Sequence, residues 1–193
     1  MSEYSDELRR LMLVTAAASI RYGLQHQQPM RLALGEFPLA LQQPRACFVT
    51  LHQQAQLRGC IGSLQAIQPL IIDLVHNAYA AAFSDPRFAP ISTTEYPELE
   101  LHISILSEPE TMVISDEADL LSQLRPGIDG LILEEGSYRA TFLPSVWEQL
   151  PTARAFVAQL KRKAGLDSGY WSESIRALRY TTESFAALIS ELD

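Results

Sequence analysis

The sequence predicts an α+β protein whose strands pair mainly antiparallel with helices flanking them, and three observations carry that prediction. Short extended runs mix irregularly with helical ones, without a repeating strand–helix rhythm. Two pairs of extended runs are separated by turn-length segments, as in hairpins. No G-x-G-x-x-G opens a helix and no G-x-x-x-x-G-K followed by Ser or Thr occurs, so a doubly wound nucleotide-binding sheet is not expected. At 193 residues the chain is long for one minimal domain and short for two, which predicts a single domain over 1–193 with two lobes.

Taken in order, residues 3 to 25 read as a helix. Leu8, Leu11, Met12 and Thr15 recur at helical spacing, and Gly23 is the first stop signal. Gln25 to Pro44 is loop-like, broken by Pro29, Gly35, Pro38 and Pro44. Ala46 to Leu51 and Gln56 to Ile61 are extended runs joined by His52-Gln53-Gln54-Ala55, a hairpin. Pro69 suits a helix start, and Leu70, Leu74, Ala78 and Ala81 form an apolar stripe behind it. That helix should stop near Ser84-Asp85-Pro86.

Glu98 to Ser107 alternates, with Leu99, Leu101, Ile103 and Ile105 on one face, which predicts a half-buried strand. Asp116 to Leu124 reads as a short helix with an acidic first turn. Gly130 to Glu134 and Ser137 to Leu143 form a second hairpin around Glu135-Gly136. Pro144 to Gln149 and Thr152 to Ala164 are helical, the latter ending at Gly165. Ser174 to Thr181 reads as a strand and Glu183 to Leu192 as a closing helix. No internal repeat or low-complexity block is present.

Composition is that of an ordinary globular chain, 47% hydrophobic and 20% charged. A net charge of −8 argues against a nucleic-acid partner, which normally needs a basic face. Glu3, Asp6 and Glu7 at the start do not fit a secretory leader, and Leu11 to Ile20 is too short to span a bilayer. A cytoplasmic protein without a membrane partner is therefore expected, with its two cysteines reduced. Lys161-Arg162-Lys163, the only short basic run, reads as a solvated helix end.

The densest chemical feature is Leu57-Arg58-Gly59-Cys60-Ile61-Gly62. Gly59 and Gly62 flank Cys60 and leave backbone amides open to a ligand or an oxyanion. Arg58, two residues along a strand, would share the face of Cys60 and favour its thiolate. A cysteine nucleophile is one reading of this segment. Close backbone packing around a buried free cysteine is the other.

LRGCIG resembles the signature of the AMMECR family, the protein-A members of the AmmeMemoRadiSam system. Phe48-Val49-Thr50-Leu51 is similar to the strand before that signature, and Ala82 to Pro90 (AFSDPRFAP) to the family's A-x-x-D-x-R-F-x-P block. ELELHISILS, Gly127 to Leu131, Ala140 to Trp147 and Leu160 to Leu166 continue the likeness in order, over a motif-matched core of about residues 46–182. The resemblance implies a compact α+β fold with two lobes and a cleft. It also implies a shared pathway with a Memo-like protein and a radical S-adenosylmethionine enzyme. It implies no particular reaction and no cofactor.

Candidate partners for Cys60 follow. Asp73 and His76 share a face of the helix after the signature, as a general base or as a solvated stripe. His102, with Glu100 and Ser104, either orients a substrate or lines the polar side of its strand. Asp85 and Arg87 either lock their loop together or leave Arg87 beside Arg58 to receive a small anionic substrate. Thr141 either adds a hydroxyl to the same pocket or caps its strand. Nothing in sequence promotes His26 or His52, and no metal-ligand spacing occurs, so no metal site is expected. A hairpin closing symmetrically about Gln53-Gln54 would set Cys47 opposite Cys60, a candidate redox pair. Two functions compete: a cysteine-dependent enzyme, and a non-catalytic module in which the signature is a structural or binding loop.

Overall fold

The computed structural model describes residues 3–192. The chain is α+β and divides into two compact units, Met1–Leu106 with Glu183–Asp193, and Ser107–Thr182.

In the first unit, α1 (Asp6–His26) opens on Ser5, whose side chain accepts from the Leu8 amide. It runs one residue past the expected end at Gln25, straight through the stop signal at Gly23. That glycine is a packing residue: a Cβ there would collide with the rings of Phe83 and Tyr79. The stop is Gln27, which adopts the left-handed conformation (φ 56°) instead. The loop expected over Gln25 to Pro44 contains a helical turn at Leu34–Glu36 and the short helix α2 (Leu39–Gln42), which inserts the fully buried Leu41.

β1 (Cys47–Gln53) and β2 (Gln56–Gly62) form the expected hairpin, but its connection shrinks to Gln54-Ala55, both at positive φ. The shorter turn changes the register. Thr50, not Cys47, lies opposite Cys60, while Leu51 faces Gly59 and His52 faces Leu57. Arg58 is left over as a bulge residue. The register therefore removes the candidate redox pair of Cys47 and Cys60. Cys47 points into the core, one face away from Thr50 and Cys60.

α3 (Leu70–Phe83) buries the stripe Leu70, Leu74, Ala78 and Ala81 as expected and ends at Ser84. β3 (Leu99–Leu106) buries Leu99, Leu101, Ile103 and Ile105 and pairs with β1 from Cys47↔Ile105 to Gln53↔Leu99. The segment expected as a closing helix is instead β8 (Thr182–Leu188), with one helical turn after it. Phe185 and Ala187 alternate inward onto the core, and the strand takes the open edge of β3. Tertiary pairing overrides the helical preference of an alanine-containing run. Sheet order is β2-β1-β3-β8. One face packs on α1 and α3, and the other carries the polar residues of the same strands.

In the second unit β4 (Glu110–Thr111), β5 (Gly130–Glu135), β6 (Tyr138–Phe142) and β7 (Arg176–Tyr180) form a sheet of order β4-β7-β5-β6. α4 (Glu117–Gln123) is capped by Asp116, and α5 (Ala153–Ala164) runs from Thr152 to Gly165 at φ 89°. The basic run differs from its expectation. Arg162 and Lys163 are exposed, but Lys161 is fully buried, with Nζ 2.8 Å from Glu117 and over the Trp171 ring. Burial of an ammonium requires such partners.

Candidate functional site: the polar face around Cys60

Cys60 lies on edge strand β2, with its main-chain N–H and C=O turned away from β1. An antiparallel residue so placed faces its partner as a non-hydrogen-bonded pair, the arrangement that brings side chains closest. Thr50 accordingly donates its hydroxyl to Cys60 Sγ across 3.1 Å. The thiol is free and partly exposed.

The outward-facing groups of Cys60 are not open, as the sequence suggested, but clamped. Its N–H donates to Asp85 Oδ2 at 2.9 Å, and Arg87 donates to its carbonyl at 3.3 Å. Asp85 also receives the Arg87 amide, Nε and Nη2 (3.1, 3.0 and 2.7 Å), so the two residues lock each other and the signature peptide together. Hydrogen bonds from Arg87 hold the buried Asp85 carboxyl far below its ordinary range. Gly59 has a packing reason: a Cβ would strike the carbonyl oxygen of Ala81 on α3. A Cβ on Gly62 would meet the Phe48 ring.

Arg58 does not stand over the thiol. The bulge takes it out of strand alternation, and its guanidinium is held by Glu95 (2.8 Å) and the carbonyl of Ala89 (2.8 Å). This pairing lowers the Glu95 carboxyl to about 2.

Asp73 and His76 do not form a dyad. Asp73 is buried and receives the Cys47 amide, Ser63, Gln68 and Asn77, at 3.0, 2.7, 2.9 and 2.9 Å. His76 is exposed on the next turn. Burial and the Asp73 charge together push the Cys47 thiol well up. Thr141 is committed within its own unit, bonded to the Leu131 carbonyl and the Tyr180 hydroxyl, both at 2.9 Å.

The same sheet face continues across β1 and β3. His102 is opposite Thr50, and Glu100 is opposite His52. The two imidazoles meet edge to face with centroids 4.6 Å apart, and Glu100 Oε2 lies 3.2 Å from His102 Nε2, out of hydrogen-bond alignment. Burial and the neighbouring His102 lower the His52 imidazole. Thr50, His52 and Glu95 were missed as site residues, whereas Glu100 was read only as a neighbour of His102. Alternation along β1 marks one polar face, which was the available signal for Thr50 and His52. Glu95 had none.

Two four-stranded antiparallel sheets with interspersed helices make this an α+β protein. The AMMECR1 family model matches residues 13–185, and the chain belongs to the AMMECR1 family. It is 34% identical over 186 residues to a protein of Methanothermobacter thermautotrophicus, covering 93% of this chain and 94% of that one. It is 32% identical to protein MJ0810 of Methanocaldococcus jannaschii, covering 92% of each. Uncharacterized protein PH0010 from Pyrococcus horikoshii has the same fold, with a TM-score of 0.87 at 29% identity over 96% of this chain and 94% of that one. Among the described residues no helix is long and apolar enough to cross a membrane.

Proposed function

We propose that the protein is a thiol-dependent enzyme acting on a small electrophilic substrate at the polar sheet face, with Cys60 Sγ as the reacting atom. One observation carries this reading. Of the two free thiols only Cys60 is reachable, on a peptide fixed at both its N–H and its C=O and beside a hydroxyl at 3.1 Å. A held thiol reduces the ordering needed to reach a near-attack geometry. Arg58 is engaged by Glu95 and Arg87 by Asp85, so neither guanidinium supports a preference for an anionic substrate. A cytoplasmic pathway shared with a Memo-like protein and a radical S-adenosylmethionine enzyme is the setting that the family resemblance suggests.

A second reading has its own support. The clamp by Asp85 and Arg87, and the packing of Gly59 on α3, account for the signature as architecture in a non-catalytic binding module. Alkylation separates the two. Limiting iodoacetamide on the native protein, followed by intact mass and peptide mapping from pH 6 to 9, should label Cys60 at least about tenfold faster than Cys47. A panel of small thioesters and activated esters should form an adduct on Cys60 that turns over, and Cys60→Ser should abolish it. Slow labelling of Cys60, or full turnover in Cys60→Ser, would leave the binding module.

A further inference from the structure

We propose that His52, Glu100 and His102 form a binding site for a divalent first-row transition-metal ion on the outer face of the β2-β1-β3-β8 sheet. Sequence spacing shows no metal motif here, because the ligands come from two strands and meet only through their register. His102 follows Glu100 by two residues on β3, so both side chains leave the same face. His52 on β1 is directly opposite Glu100. β1 and β3 are the two inner strands of the sheet, which fixes the three Cα positions.

The side chains have converged as ligands do. One donor atom from each of the three lies within 4.8 Å of the other two. Metal bonds of about 2.0–2.2 Å place such atoms within roughly 3–4 Å of one another, so small side-chain rotations close the set. His52 Nδ1 and His102 Nε2 are both sealed from solvent and without a hydrogen-bond partner among the described residues. Buried polar atoms in proteins are nearly always satisfied, and a pair left over at one point marks a missing partner. A cation supplies that partner for both nitrogens and for the Glu100 carboxylate at once.

The donor set selects the ion. Two imidazoles and one carboxylate suit zinc, iron, nickel or copper, whereas calcium and magnesium prefer all-oxygen cages. Three protein donors also leave coordination positions open. Glu100 and His102 are about 44% and 36% exposed, so solvent lies close enough for water to fill those positions. The site is independent of the thiol role assigned to Cys60, whose Sγ is not among the three donors.

Zinc binding to the chelator-stripped full chain tests the proposal by titration calorimetry. Cobalt(II) absorption on the unmodified chain reads the ligand type. The expected results are one ion per chain and a cobalt spectrum without thiolate charge transfer. His52→Ala and His102→Ala should each weaken binding by more than the ~10–100-fold typical of losing a group outside the coordination sphere. Cys60→Ser should bind as the parent does. Where an alanine variant fails to fold, His52→Gln and His102→Gln keep a polar face and replace it. No stoichiometric zinc binding, binding retained in the His52/His102 double variant, or a thiolate band lost in Cys60→Ser would each overturn the site.

Discussion

The two faces of the β2-β1-β3-β8 sheet are written by the same strands and do opposite work. On the inner face Cys47, Val49 and Leu51 of β1 meet Leu101, Ile103 and Ile105 of β3, all almost wholly buried. Shifted by one residue, the outer face carries Thr50 and His52 opposite His102 and Glu100. The cysteines show what the shift does. Cys47 is sealed beside Asp73, which disfavours its thiolate, whereas Cys60 is partly exposed beside a hydroxyl. A period of two turns one strand into core and site together.

Neighbouring substitutions sharpen this contrast most. Leu101→Ala should cost about 2–5 kcal/mol, from lost burial and the cavity left behind. His102→Ala, one residue along and partly exposed, should change the stability of metal-free protein by about 0.5 kcal/mol or less. Urea unfolding of both variants measures the difference. Comparable losses would mean that the outer face is not separate from the core.

The clamp is the next largest effect. Asp85→Ala leaves the Cys60 N–H without its acceptor and the Arg87 guanidinium without its carboxylate, and should cost about 2–3 kcal/mol by urea unfolding. The upper figure for a fully buried pair does not apply, because the Arg87 side chain is 54% exposed. The same carboxylates set the acid limb. Asp85 and Glu95 are both depressed in the folded state, so their contribution is fully present above the ordinary carboxylate values. It is lost as pH falls, for Glu95 between 4.5 and about 2 and for Asp85 lower still. Glu95→Gln should flatten the upper part of that fall, measured as unfolding free energy against pH. An unchanged slope would break the assignment.

These differences also show what was legible in sequence. The alternation of β3 and the stripe of α3 were readable because each element states its own period within a dozen residues. β8 was not, since Ser184 to Leu188 carries no strong strand signal and its pairing depends on the free edge of β3. Gly23 read as a helix stop because a glycine that admits two aromatic rings looks the same as one that ends a helix. At the site, Cys60 was visible as chemistry, but its surroundings depend on hairpin register. A two-residue turn and one bulge moved Cys47 away, took Arg58 out of alternation and brought Thr50 across from the thiol. The Asp85 cap on an amide 25 residues distant has no local trace at all.

Thr50→Val tests the smallest of these contacts and the one most specific to the outer face. Valine keeps the branched shape and the strand preference of threonine while removing the donor to Sγ. A single hydroxyl–thiol bond at a partly exposed site contributes little net free energy, because solvent substitutes for it on unfolding and partly in the folded state. The expected loss is below about 1 kcal/mol by urea unfolding. Its effect on chemistry should be larger than its effect on stability. With the hydroxyl gone, Sγ loses the contact that fixes its orientation, and the pH dependence of Cys60 alkylation should change while that of Cys47 stays unmeasurably slow. A stability loss as large as that of Leu101→Ala would place Thr50 in the core. An unchanged alkylation profile would remove it from the site.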